Sequence, residues 1–429
     1  MRLVRLPAAD ALIRRVDTGE RLAPSRLVGE CRTRVWGLDR SLRMRPTLIS
    51  NATSAGVQQS TRVLLASGRI ALVTLDQQVR VLTGPAPTVN LSVGEAIAVS
   101  RHVPEPLQPT EWPSDHLILL AHLLGDGCVA RDPIYYCSAD EANLEVVEKA
   151  ARSFGVDTRR SPGRGVTYVH FPMVEHATWG RTNPLYDWLR DLDVYGKVAH
   201  NKQVPAAIHQ LHNADTALFL RHLWATDGSV TIPKAGQPRI YYATTSRRLA
   251  DDVQAMLLRL DIGARLSAAP VRDASRHKQG WMVRVSGRAD QLQFVIRIGV
   301  HGARERHCRA AFAALSGLRG NPNVDVIPRE VWDYTRDVMA AKRVTSRELA
   351  RRLEMSYCGS TLYKAGVSQR RLARVAEALD DDWLRDLATA QIRWDRVTRI
   401  EPAGEIEVCE LELADADNLF VNDVLTLAG

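Results

Sequence analysis

Several things are scarce in this chain, and each scarcity excludes something. The six cysteines (Cys31, Cys128, Cys137, Cys308, Cys358, Cys409) form no Cys-x-x-Cys pair. That scatter argues against a disulfide framework and a zinc knuckle, and fits a reducing cytoplasm. No apolar run approaches the roughly 18 residues of a membrane span. The longest, Leu117–Leu124, is interrupted by His122 and ends in Gly125-Asp126-Gly127. The opening Met1-Arg2-Leu3-Val4-Arg5 lacks the apolar core of a signal peptide. Acidic residues are outnumbered, 49 against 57 basic ones, for a formal net charge of +8. The excess favours a polyanionic partner. Hydrophobic residues at 45% and charged residues at 25% exclude large-scale disorder. The 429 residues exceed the roughly 100–200 expected of one domain.

The pattern along the chain is α+β and unevenly distributed. Residues 1–103 read as short strands, among them Val35–Leu38, Thr61–Leu65 and Val79–Leu82, with turns at Ser67-Gly68 and Thr83-Gly84-Pro85. A proline-rich stretch, Val103–Pro109, reads as a linker. Helices and strands alternate from about Ser114 to Asn321, a basic helical stretch covers 329–390, and β-like sequence returns at Trp394–Ala428. A β start and a β finish around a mixed middle predict one β domain with a second domain inserted into it. The expected segments are 1–103, 104–328, 329–390 and 391–429.

The middle contains an internal repeat. Leu119–Gly127 (LLAHLLGDG) is answered by Leu220–Gly228 (LRHLWATDG), with Asp126 and Asp227 at the same point. Each copy continues with a strand (Ile134-Tyr135-Tyr136; Ile240-Tyr241-Tyr242), an amphipathic helix (139–154; 247–260) and a further strand (167–171; 282–286). The first helix has a candidate N-cap at Ser114 or Asp115, the second at Asn213 or Asp215. Glycine after the acid suits a helix end that needs φ > 0. A carboxylate at the negative end of a helix is misplaced. One such acid is an ordinary Asp-Gly cap; two at equivalent points of duplicated helices predict a compensating cation. Packed side by side, Asp126 and Asp227 with the carbonyls of Gly125 and Thr226 make an all-oxygen set suited to Mg²⁺ or Mn²⁺.

These residues resemble the paired motifs of LAGLIDADG homing endonucleases. The flanking sequence resembles an intein, of the large endonuclease-carrying kind found in actinobacterial replicative DNA helicases. Val35–Asp39, Leu65–Arg69 and Asn418–Ala428 resemble the blocks of its HINT splicing domain. Asn201-Lys202-Gln203-Val204-Pro205 resembles the block between the two endonuclease motifs, and Met355–Lys364 a stretch typical of helicase inteins. The resemblance implies a HINT-like domain formed by both chain ends around a pseudosymmetric αββαββα endonuclease, with a helical appendage. It implies metal-dependent hydrolysis of double-stranded DNA by a bacterial, cytoplasmic protein that is nucleoid-associated when bound. A monomer is expected, because both motifs lie in one chain.

In that reading Asp126 and Asp227 hold metal and activate water, and Lys202 assists the water or neutralises the scissile phosphate. No second lysine is evident: Asp325-Val326-Ile327-Pro328 takes the matching place, and Lys278 is the nearest alternative. DNA would be met by strands after each motif. The basic candidates are Arg131, Arg159, Arg160, Arg164, Lys234, Arg239, Arg247, Arg248, Arg276, His277, Lys278, Arg284 and Arg288, whose value is collective. Thr345–Leu353 followed by Ser368–Leu372 has a helix–turn–helix rhythm, suited either to DNA contact or to bridging domains.

The splicing positions depart from the intein pattern. Arg5, or Val4 with a one-residue shift, stands for the first nucleophile. Thr74 of the Thr-x-x-His block is kept, but Gln77 replaces its histidine and has no acid–base chemistry. Leu427 and Ala428 stand for the penultimate histidine and the cyclising asparagine, and Cys409 reads as a buried strand residue. A homing endonuclease on a degenerate intein scaffold is therefore expected. The alternatives are an autocatalytic intein in inactivated form and a DNA-binding protein that has lost cleavage.

Overall fold

The computed structural model describes residues 2–30, 32–172, 183–234, 236–270, 279–318, 326–356 and 359–428. The chain divides into two compact units. One comprises Val103–Gly320 with the short piece Thr18–Glu20; the other comprises Met1–Asp17, Arg21–His102 and Asn321–Gly429.

The 103–320 unit is built from two copies of one plan. In the first, helix α1 (Ser114–Gly125) leads into strands Gly127–Cys128 and Tyr135–Ser138. Helix α2 (Glu141–Arg152), strands Arg159–Pro162 and Thr167–His170, and helix α3 (Pro184–Asp191) follow. In the second, helix α4 (Asn213–Asp227) precedes strands Gly228–Thr231 and Arg239–Thr244. Helix α5 (Arg247–Arg259), strands Ala264–Pro270 and Gln279–Val285, and helix α6 (Arg288–Arg297) complete it. A further helix, α7 (Glu305–Gly317), comes after. Each copy makes a four-stranded antiparallel sheet in which the fourth strand lies between the second and the third. Alternation decides which face is covered. Tyr136, Ser138, Val169, Ile240, Tyr242, Val283 and Val285 are buried, and the residues between them face outward. One apolar core joins the buried faces to α1 and α4, through Leu117–Leu120, Leu123 and Leu124 of α1 and Phe219, Leu220, Leu223 and Trp224 of α4.

The helix starts differ from the sequence expectation. Ser114 is the first helical residue behind Pro113, and His212 occupies the cap position before Asn213. Neither expected side chain caps its helix, and the Asn213 amide oxygen instead accepts from Arg259. The glycines after the acids also lack positive φ; Gly228 has φ −81°. Their reason is space. A Cβ at Gly127 would lie 2.5 Å from the Leu123 carbonyl oxygen, and one at Gly228 2.2 Å from a Trp224 ring carbon.

Between α1 and α4 lies a buried histidine pair. His122 Nε2 is 3.1 Å from His222 Nδ1, and His122 Nδ1 is 3.0 Å from the Tyr136 hydroxyl. The His301 ring lies tilted against that of His222, with centroids 4.5 Å apart. Burial pushes both His122 and His222 below the ordinary histidine value, His222 to about 3. The unfolded chain takes up these protons below its value of about 6.5, while the folded unit refuses them. The histidines' contribution to stability is thus expected to be fully present above about pH 6.5 and to fall as the pH drops below it. Urea midpoints between pH 7.5 and 5 measure this, and His222→Asn should flatten the slope. Parallel slopes for the two proteins would contradict it.

In the other unit the two ends of the chain share strands. Of the long strands Met44–Leu65 and Ile392–Leu413, Ile49–Leu65 pairs antiparallel with Val397–Leu413, with four register shifts that bend the ribbon. Arg2–Pro7 adds to the far end of the second strand, from Arg2 opposite Leu413 to Pro7 opposite Val408. Two apolar clusters fill the β layer, one around Val4, Leu6, Ile49 and Leu411, the other around Val63, Val73, Val99 and Val424. The 329–390 segment belongs to this unit. It forms α8 (Val331–Ala341), α9 (Ser346–Arg352), a 3₁₀ stretch at Gly359–Lys364, α10 (Gln369–Leu379) and α11 (Asp382–Thr389). Leu372, Val375, Ala376 and Leu379 give α10 one apolar face, which packs with Trp332, Leu349, Leu353 and Leu384.

Candidate active site and nucleic-acid interface

The two acid–glycine helix ends meet. At their closest approach Gly125 leaves no room for a side chain: a Cβ there would fall 2.0 Å from Thr226 Oγ1. The Thr226 hydroxyl is held by the Leu223 carbonyl at 2.6 Å and cannot swing freely away. Asp126 closes α1 and Asp227 closes α4. Burial, then repulsion from Asp227, pushes the Asp126 carboxyl up to about 6. Asp227 opens to solvent, yet the protein packed around it pushes its carboxyl up as well. Burial outweighs the pull of Lys202 and Arg304 on both acids, so the pair is costly to ionise without a further cation.

Lys202 is buried behind this pair. It follows the single 3₁₀ turn Ala199–Asn201, and its Nζ donates to the carbonyls of Leu123 (2.9 Å), Gly125 (3.1 Å) and Gly127 (2.7 Å). These are the orphan acceptors of the α1 C-terminus. Burial holds the ammonium down, to about 8, against the pull of Asp227 and Asp126.

The second copy has the same device, and the sequence reading missed it. Arg304 ends a 3₁₀ turn, Gly302–Arg304. It donates to the carbonyls of Trp224 (3.5 Å), Thr226 (2.8 Å) and Gly228 (2.6 Å), the equivalents of those that Lys202 binds. The counterpart of Lys202 is therefore an arginine at 304. The 325–328 segment does not hold it: Val326 and Ile327 pair with Ser368 and Val367 in the other unit. Asp325 and Lys278 lie outside the described residues. Both turns are fixed by a helix cap. Ser246, at the N-terminus of α5, donates to the Lys202 carbonyl at 2.6 Å. Asp140, at the N-terminus of α2, accepts from the Ala303 N–H at 2.7 Å.

A cavity of about 490 Å³ opens over Asp227 and Lys202, lined also by Tyr241, Ala243, Trp281 and Met282. The outward faces of the two sheets carry matching rows. Cys128, Tyr135, His170 and Arg159 stand side by side in the first sheet; Ser229, Tyr241, Arg284 and Arg265 do so in the second. Of the expected basic residues, Arg159 and Arg284 lie in these rows. Arg131 lies beside Tyr135 and Cys128, which raise its pKa, and Arg164, Lys234 and Arg239 are exposed on turns or strand ends. Arg160 is tied back to Glu148 (2.7 Å) and Glu141 (2.6 Å) on α2. Arg247 pairs with Asp251 and covers Trp281, Arg248 reaches Asp252 at 3.9 Å, and Arg288 caps the Leu315 carbonyl. Arg276, His277 and Lys278 lie outside the described residues. Tyr135, Tyr241 and Arg265 were not anticipated; the strand alternation of each copy, laid over the other, would have found them.

In the chain-end unit the candidate splicing positions also meet. Arg5 reaches Asp76 (3.4 Å) and Glu410 (3.0 Å), and Thr74 Oγ1 donates to Asp76 at 2.8 Å. The buried Gln77 donates its N–H to the Thr74 carbonyl, and the next residue, Gln78, pairs with Leu427. Cys409 is buried in its strand opposite Leu6.

Residues 215–299 match the LAGLIDADG-like domain family. That LAGLIDADG-like segment runs from the first turn of α4 to just past α6, which is the second copy of the repeat. Over 97% of its length the chain is 34% identical to the replicative DNA helicase DnaB of Rhodothermus marinus and 32% identical to that of a Synechocystis species. It is 24% identical over 90% of its length to the protein RecA of Mycobacterium tuberculosis. The chain spans about half the length of these relatives: 45%, 49% and 51%. Mesophilic variants of the homing endonuclease I-DmoI superpose with a TM-score of 0.31 at 12% identity, over 43% of this chain and 94% of theirs. That likeness is too slight to bear on function.

Proposed function

We propose that the chain is a homing endonuclease that cuts double-stranded DNA at a specific site with a divalent metal, carried on an intein-type scaffold that no longer splices. The observation that carries this is the duplicated end of α1 and α4. Two carboxylates converge there, and each helix end is backed by its own cation, the buried Lys202 and the half-buried Arg304. The residues fit a hard divalent ion: the donors are all oxygen, and the acids repel one another without it. Asp126 and Asp227 would hold it, with the Gly125 and Thr226 carbonyls each already committed to one charged donor. Such an ion supplies charge neutralisation and a more acidic water. Lys202 and Arg304 keep both helix ends in place and add positive charge beneath the scissile phosphates. The outward rows, with Tyr135, Arg159, Tyr241, Arg265 and Arg284, supply apolar edges and phosphate partners for a groove.

Incubation with a randomised-site duplex library and Mg²⁺ should yield cleaved molecules sharing one motif. Recovery of no motif would sink the reading. Binding should weaken by orders of magnitude between roughly 50 and 200 mM salt. A flat response would count against any nucleic-acid partner.

The second part of the proposal concerns the chain-end unit, a HINT-like layer in which Arg5, Gln77, Leu427 and Ala428 lack the nucleophile, acid–base group and amide that splicing needs. Fused between two reporter proteins, the chain should stay uncut at both junctions, thiol added or not. A ligated reporter in the mass spectrum would refute this.

A further inference from the structure

Each of the two helix-end cations is held in place by the opposite copy of the repeat. Lys202 and Arg304 lie in the tails of their own copies, after α3 and after α6, and each binds carbonyls at the end of its own first helix. The bonds that fix their backbones come from across the pair. Ser246, at the start of α5 in the second copy, donates to the Lys202 carbonyl at 2.6 Å. Asp252, further along α5, accepts from the Val204 N–H at 3.1 Å. The first copy does the same from α2. Asp140 accepts from the Ala303 N–H at 2.7 Å, and His301 Nε2 lies 3.3 Å from the Ala142 carbonyl. Gly302 passes so close that a Cβ there would fall 2.4 Å from Asp140 Oδ2.

Both caps do more than a helix start needs. Asp140 takes the Ala142 N–H of its own helix on Oδ1, at 3.1 Å, and the Ala303 N–H on Oδ2. The buried Ser246 accepts from the Leu249 N–H of its own helix at 3.2 Å and gives its proton to Lys202. The first bond of each pair already caps the helix. The second crosses between copies, from the same helix position in both, although one cap accepts and the other donates.

We propose that Asp140 and Ser246 are positioning residues that act crosswise: the cap of α2 sets Arg304 beneath the end of α4, and the cap of α5 sets Lys202 beneath the end of α1. The inference rests on the endonuclease reading and deepens it. A long, flexible cation reaches three carbonyls only from a fixed backbone, and a shift of about 1 Å at such a group slows chemistry by about a hundredfold. Two equivalent helix ends on a duplex of two antiparallel strands meet one scissile phosphate each. Loosening Arg304 then slows the cut in one strand, and loosening Lys202 slows the cut in the other. A cap in either copy thus governs the cut made by its opposite.

The test uses the full chain and a duplex recovered from the randomised-site library, its two strands end-labelled with different dyes. Asp140→Asn keeps an oxygen for the Ala142 N–H and turns an amide nitrogen toward the Ala303 N–H. Ser246→Ala removes the proton given to Lys202, and Ser246→Thr restores it. Asp140→Asn should cut one strand about 10–100-fold more slowly than the wild type and accumulate a nick in the other. Ser246→Ala should do so with the strands exchanged, and Ser246→Thr should regain both cuts. General damage to the fold would slow both strands together. Amide hydrogen exchange without DNA or metal supplies a second readout. Asp140→Asn should speed exchange over 301–304 and leave 199–204 at the wild-type rate, and Ser246→Ala should do the reverse. Equal slowing of both strands, the same strand slowed by both variants, or unchanged exchange in the opposite copy's turn would overturn the crosswise assignment and leave the endonuclease reading standing. A wild type that cuts neither strand of any duplex would remove that reading, and the crosswise assignment with it.

Discussion

Replacing either helix-end acid by its amide, Asp126→Asn or Asp227→Asn, should reduce DNA cleavage by about a thousandfold or more while leaving duplex affinity within a few-fold. A thousandfold corresponds to roughly 4 kcal/mol of transition-state stabilisation, a reasonable share for one metal-holding charge. The amide keeps the volume, so the helix contact at Gly125 and Thr226 is undisturbed. Stability separates this outcome from simple damage. The Asp126 carboxyl is held at about 6 by burial and by Asp227, above its unfolded value of about 4. Its contribution to folding is present below about pH 4 and is lost as the pH rises through 6. At pH 7.5, without metal, the wild type therefore carries two crowded negative charges, and Asp126→Asn should melt at an equal or higher temperature. Added Mg²⁺ should raise the Tm of the wild type and not that of the variant. An inactive Asp126→Asn with a clearly lowered Tm would mean that the acid serves the fold. A variant that still cut at near the wild-type rate would remove the acid it replaces from the chemistry and with it the paired-carboxylate site.

What could be read from the sequence followed from repetition. Asp126 and Asp227 stand out because the same unusual choice, an acid at the negative end of an apolar helix, occurs twice in one frame. Lys202 could be found only through resemblance, since a lysine before Val204-Pro205 carries no local signature. Arg304 was missed for a physical reason. The device requires a long cationic side chain from a 3₁₀ turn to reach three carbonyls, and either lysine or arginine meets that need, so the repeat is conserved in geometry while its residue changes. The outward rows were half legible. Arg159 and Arg284 stood out as charges, but Arg160 is equally basic and is spent on Glu141 and Glu148. Only the pairing of strands tells them apart. The helix starts failed because tertiary partners overrode the local rule: the Asn213 side chain that could have capped α4 is taken by Arg259.

That arginine should be the most costly single truncation in the 103–320 unit. Arg259 lies at the end of α5 and is 1% exposed. One of its terminal nitrogens donates to the His209 carbonyl at 2.7 Å. The other donates to the Leu211 carbonyl at 2.6 Å and shares Asn213 Oδ1, 2.8 Å away, with Nε at 3.1 Å. Burial lowers its pKa to about 10, which still leaves it protonated at neutral pH. The fork fastens the four residues that deliver the chain into α4, and so sets where that helix begins. Arg259→Ala leaves two carbonyls and an amide oxygen buried without their donor, each worth about 1–3 kcal/mol, and empties the space of the stem. The expected loss is about 4–5 kcal/mol, read as a fall in the urea midpoint at unchanged m. Arg259→Lys should recover only a minor part, because one ammonium cannot reach acceptors spread across a planar fork. Arg259→Met should fall between them, keeping the stem and losing every bond. The folded fraction of each variant should still cleave DNA within about tenfold of the wild type, since Arg259 lies at the start of α4 and Asp227 at its far end, about 20 Å along the axis. A loss below 1 kcal/mol for Arg259→Ala would show that water replaces the guanidinium and that the start of α4 is set by its apolar packing alone.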